Sequence, residues 1–70
     1  MKIFAERLKE LRTERKLSTT ALGNAINVSD TTVCRWENSQ ADAKGENLKA
    51  LAKFFNVSAD FLLGLKDSEN

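Results

Sequence analysis

Apolar residues recur along this chain in five short clusters, each at helical spacing and each separated from the next by small polar residues. Phe4, Leu8 and Leu11, with Ile3 and Ala5 beside them, form a stripe over Lys2 to Glu14, and charged residues fill the opposite face. Leu22, Ala25 and Ile26 mark a second helix from Thr19 to Ile26. Val33 and Trp36 mark a third, from Asp30 to about Asn38. Leu48, Leu51, Ala52 and Phe55 line one side of a fourth, from about Glu46 to Phe55. Phe61 and Leu62 fall in a short fifth, from Ala59 to Leu63. No segment carries a strand signal. The pattern predicts an all-α, compact five-helix bundle whose apolar stripes share one core.

The residues between the stripes supply stop and start signals. Ser18, Ser29 and Ser58 each stand immediately before a helix, where a hydroxyl accepts from an early amide. Asp30 adds negative charge at the positive end of the third helix. Asn27 suits a turn residue with positive φ. Gly23 costs its helix roughly 1 kcal/mol against alanine, which a close approach of the third helix would explain. Residues 39–45 read as a small polar loop, Gly64 as a helix stop, and residues 66–70 as a flexible tail.

The helix-turn-helix unit of residues 18–38 carries the chemistry. At 100° per residue, Val33, Trp36 and Glu37 fall on one side of the third helix, and Thr31, Cys34, Arg35 and Asn38 on the other. The first set anchors the helix. The second is small and polar apart from one long arginine, which allows close approach to base edges in the major groove. Arginine pairs with guanine O6 and N7, and threonine offers a methyl or a hydroxyl. Asp30 repels phosphate but can accept from cytosine N4, so it acts by rejecting wrong sequences. Trp36 beside Val33 is core, and Cys34 is a small contact residue.

Composition narrows the field further. Seventy residues make one domain, here residues 1–65 followed by the tail, near the lower limit for a self-sufficient core. With one cysteine and no histidine there is no internal disulfide, no thiol–imidazole metal set and no common catalytic pair. The chain therefore predicts no enzyme, no metal, no cofactor and no small-molecule substrate. No apolar run approaches the roughly 18 residues of a membrane span, and charges enter too early for a signal peptide. No membrane partner is expected, and the expected location is the cytoplasm. The net charge of only +1 implies modest, salt-sensitive nucleic-acid affinity built on shape, amide donors and a few well-placed cations.

Taken in order, Leu17-Ser18, Ala21-Leu22, Val28-Ser29, Val33 and Trp36-Glu37, followed by GENLKALAKFFNVSADFLLG over residues 45–64, resemble the helix-turn-helix domain of the lambdoid phage repressor and Cro family. The resemblance covers about residues 4–64. It implies a lambda repressor-like domain that binds operator DNA as a homodimer, with the third helix in the major groove. By the same resemblance, Ser29, Asp30, Thr31, Cys34 and Arg35 match base-reading positions, and Asn38 and the loop through Lys44 match phosphate contacts. Thr19 stands where the family commonly has a glutamine that touches phosphate or base, and threonine is shorter. With Ser18 these residues make up the candidate DNA-binding set. Arg12 and Glu37 match a structural ion pair. The proline usual near Ala43 is absent, which implies a more mobile loop.

The leading reading is a sequence-specific transcriptional regulator, either a phage-type repressor's N-terminal domain or a short Cro-like protein. Its dimer would set two recognition helices roughly 34 Å apart, joined through the surface around Leu63 and Leu65. The alternative is a protein-interaction module of the same fold, such as an antitoxin-like partner, which the near-zero net charge and Asp30 favour.

Overall fold

A computed structural model describes residues 2–69. Five helices follow in order: α1 (Lys2–Glu14), α2 (Thr19–Ile26), α3 (Asp30–Glu37), α4 (Gly45–Phe55) and α5 (Ala59–Leu62). There is no strand among the described residues. The helices pack into a body of 27 × 22 × 21 Å. Phe4, Leu8, Leu11, Leu22, Val33, Trp36, Leu51, Phe55 and Leu62 meet at its centre, so every helix contributes to a single core. The two longest helices, α1 and α4, form the frame, and α2 and α3 lie against it and against each other.

One three-residue device joins the helices. Lys16-Leu17-Ser18, Asn27-Val28-Ser29 and Asn56-Val57-Ser58 each begin with a left-handed residue (φ 57°, 64° and 57°). Each continues with an apolar side chain packed on or in the core and ends in a serine. The left-handed residue turns the chain so that a following amide reaches back. Leu17 N bonds Arg12 O at 3.1 Å, Val28 N bonds Gly23 O at 2.8 Å and Val57 N bonds Ala52 O at 3.0 Å. The serine hydroxyls then accept from Ala21, Thr32 and Phe61 amides. Helix α3 also ends in a left-handed residue, Ser39 (φ 59°). There the next residue is polar Gln40, no serine cap follows, and the chain runs on as a loop.

Several expectations change in detail. Ala25 is exposed rather than part of the buried stripe, because α2 is covered along Leu22 and Gly23 and Ala25 points past that contact. A Cβ on Gly23 would stand 2.7 Å from the Val28 carbonyl oxygen, so the glycine admits the α2–α3 connector rather than the body of α3. The polar loop of residues 39–45 hides an anchor, since Ala43 is 3 % exposed and part of the core. Its small apolar side chain is buried near the place where the resembled family usually has a proline. Helix α5 stops at Leu62, with Leu63 as its C-cap.

The charged face of α1 is also more than a solvated surface. The Arg7 guanidinium lies 4.2 Å over the Phe61 ring, donates to the carbonyls of Phe61 and Lys66 and approaches Asp67 at 3.7 Å. Arg15 donates to the Phe55 carbonyl at 2.9 Å and stacks over the Phe55 ring, at the negative end of α4. Residues 66–69 fold back through Arg7 and through Ser58 N to Glu69 O at 2.7 Å. Asn70 lies outside the described residues.

Candidate nucleic-acid interface

The orientation of α3 follows from which side chains the core accepts. Val33 is fully buried and Trp36 is 2 % exposed. Thr31, Arg35 and Asn38 on the other side are exposed, and Cys34 is half-buried. No segment of the chain's own described residues covers that strip. Glu37, at the end of α3, turns inward. Arg12 Nε donates to Glu37 Oε2 at 2.6 Å and Nη2 to Oε1 at 2.9 Å, while Nη1 donates to the Leu17 carbonyl at 2.7 Å. This bidentate pair ties α1, the first connector and α3 together. The Glu37 hydrogen bonds raise the Arg12 pKa above its ordinary value, against the opposing effect of burial. A negative charge is thereby neutralised behind the strip instead of facing a polyanion.

The candidate residues fall into three groups. Ser18 and Ser29 are caps, and their oxygens accept from Ala21 N at 3.0 Å and Thr32 N at 3.1 Å. Ser29 also shares a 2.8 Å hydrogen bond with the Thr32 hydroxyl. Thr31, Arg35 and Asn38 have free outward side chains, and Arg35 makes no side-chain hydrogen bond or ion pair among the described residues. Its donors have no partner among the described residues to give up. Lys44 is exposed at the start of α4 and its side chain makes no cap, so the first amides of α4 lie beside a free lysine, an arrangement suited to an anion.

Thr19, Asp30 and Cys34 make up the third group, and sequence reasoning treated them separately. The Thr19 hydroxyl bonds Asp30 Oδ1, and the Cys34 thiol donates to the same oxygen at 3.7 Å. Thr19 and Asp30 are each the first residue of a helix after a serine cap, and the connector sets those two helix starts side by side. That shared position after a capping serine was the available sequence signal. Among the described residues no group of three or more His, Cys, Asp or Glu side chains is arranged to hold a metal ion.

A compact all-α body that presents one uncovered, mainly polar helix face is the arrangement of a helix-turn-helix domain. A model of the family described as Helix-turn-helix matches residues 8–62, and the chain belongs to that family. It is 38 % identical over 61 residues to repressor protein C2 of Salmonella phage P22, across 87 % of this chain and 28 % of that protein. It is 38 % identical over 60 residues to the HTH-type transcriptional activator BcrR of Enterococcus faecalis, across 86 % of this chain and 29 % of that protein. The chain thus spans less than a third of these two curated relatives. The crystal structure of the P22 c2 repressor in complex with a synthetic operator matches with a TM-score of 0.81 at 37 % identity, covering 84 % of this chain and 89 % of that one.

Proposed function

We propose that this chain is the DNA-binding part of a sequence-specific transcriptional regulator, and that it binds a near-palindromic operator as a homodimer with α3 in the major groove. The observation that carries the reading is the uncovered strip of Thr31, Cys34, Arg35 and Asn38, held outward by buried Val33 and Trp36. It is supported by likeness to a repressor whose crystal structure includes operator DNA. In this reading Ser29, Asp30, Thr31, Cys34 and Arg35 lie at base edges, while Ser18, Asn38 and Lys44 touch or approach phosphates. The serine oxygens already accept as caps; the Ser18 hydroxyl still has a proton to donate, and the Ser29 hydroxyl shares its hydrogen bond with Thr32. Action in the cytoplasm without catalysis completes the proposal. No helix among the described residues is long and apolar enough to cross a membrane.

Dimerisation is expected because a single domain of net charge +1 gains little from counterion release. Leu65, 73 % exposed beside half-buried Leu63, supports the surface after α5 as the contact. Selection from a random DNA pool at moderate salt tests the whole reading. A symmetric enriched site is expected, with binding that weakens several-fold as salt rises. Absence of any enriched sequence, or affinity for a protein partner indifferent to salt, would favour the interaction-module alternative instead.

A further inference from the structure

We propose that Thr19 and Cys34 are positioning residues that fix the Asp30 carboxylate, so that the protein selects a base with a major-groove amino group, cytosine or adenine, at one position in each half-site. This rests on the DNA-binding reading above and specifies the base chemistry it recognises.

Thr19 is the first residue of α2, Asp30 the first of α3, and Cys34 lies one turn further along α3. Both the Thr19 hydroxyl and the Cys34 thiol bond one oxygen, Asp30 Oδ1. A hydroxyl has a single proton to donate, and that of Thr19 points to Asp30 rather than to a phosphate. With Oδ1 occupied by two donors from two helices, the carboxylate loses its freedom to swing, and Oδ2 is left as an acceptor in a set direction.

An unrestrained carboxylate at the start of an exposed helix would simply repel the phosphates on either side. A fixed one discriminates between bases. Cytosine N4 and adenine N6 are the donors on the major-groove edges, whereas guanine O6 and N7 and thymine O4 are acceptors. Facing Oδ2, the first pair gains a hydrogen bond and the second meets lone pairs and charge of the same sign. Arg35 lies about 140° further round α3 and presents donors only, which match guanine. The two flanks of the strip therefore carry opposite hydrogen-bonding character.

The test is pool selection followed by affinity measurement for the wild type, Thr19→Val, Thr19→Ser, Cys34→Ala and Asp30→Asn, each first shown to melt cooperatively. At one position per half-site the wild type should enrich cytosine or adenine on one and the same strand, and that position should be the one at which Asp30→Asn changes the selected base. Thr19→Val should lower that preference at least about fivefold while leaving the guanine position unchanged. Thr19→Ser, which keeps the hydroxyl, should restore it. Cys34→Ala should weaken it at the same position only. Asp30→Asn, whose amide both donates and accepts, should admit guanine or thymine there. The proposal is overturned if Thr19→Val keeps the full preference, or if it lowers affinity evenly for every sequence as loss of a phosphate contact would. A wild type and an Asp30→Asn variant that enrich the same symmetric site would sink this inference and leave the DNA-binding reading intact. A wild type that enriches nothing would sink both.

Discussion

The chain has four arginines, and three of them use their guanidinium groups within the fold. Arg7 and Arg15 each lie over an aromatic ring while donating to carbonyls near the ends of α5 and α4, and Arg12 holds Glu37. Arg35 faces outward with no side-chain hydrogen bond or ion pair among the described residues, which is what a reading residue requires. Arg35→Ala should therefore lower specific affinity by about 1–3 kcal/mol and relax preference at one base pair, with an unchanged melting temperature. Unaltered sequence preference in the variant would remove Arg35 from the reading set. Trp36→Ala acts through the core instead. It should cost about 3–5 kcal/mol, enough to unfold a domain this small, and circular dichroism would report the loss of helix. The inward and outward sides of α3 were legible in the sequence, because helical periodicity fixes relative direction. The roles of Arg7 and Arg15 were not, since their partners lie 54 and 40 residues away.

At the level of elements, order and length depend on the repeated connector of left-handed residue, apolar plug and capping serine. Two of its three left-handed positions hold asparagine, which tolerates that region. The third holds Lys16 at φ 57°, where a Cβ is unfavourable. Lys16→Gly should stabilise the domain by about 0.5–1 kcal/mol, the relief of that strain exceeding the added flexibility of glycine when unfolded. Asn27→Gly should be nearly neutral. Thermal melts of the two variants check the contrast, and a destabilised Lys16→Gly would mean that the lysine side chain contributes more than its backbone conformation costs. The opposite substitution, Gly23→Ala, should destabilise by about 1–3 kcal/mol through its clash with the Val28 carbonyl. The serine caps and Asn27 were readable from local sequence, because capping is an interaction over three residues. Lys16 and Ser39 were not, because neither residue type signals a left-handed turn.

Across the whole molecule, the angle at which α3 is offered to a partner depends on one buried linkage. Arg12 reaches Glu37 on α3 and the Leu17 carbonyl in the first connector, so one side chain ties α1, the connector and α3 together. Glu37→Ala leaves the Arg12 side chain, 14 % exposed, without its partner, and should cost about 3 kcal/mol. Replacing both residues with methionine should cost less than the single change. Chemical denaturation of the single and double variants measures that difference, and additive losses would show that the pair is not coupled. Because the pairing raises the arginine pKa, the arginine's share of this stability is present below the ordinary arginine range and lost only as pH rises through the higher folded value. It should therefore stay constant across neutral and mildly alkaline pH.

The sequence by itself determined the five helices, their boundaries to within a residue or so, and which side of α3 points inward. These follow from hydrophobic period, capping and turn preference, all of which act between near neighbours. Only the tertiary structure decided that Ala43 anchors the loop, that Ala25 is left outside the core, and that Thr19 and Cys34 converge on one oxygen of Asp30. Each of those depends on where two distant segments meet. Packing sets that meeting point, and no local pattern encodes it.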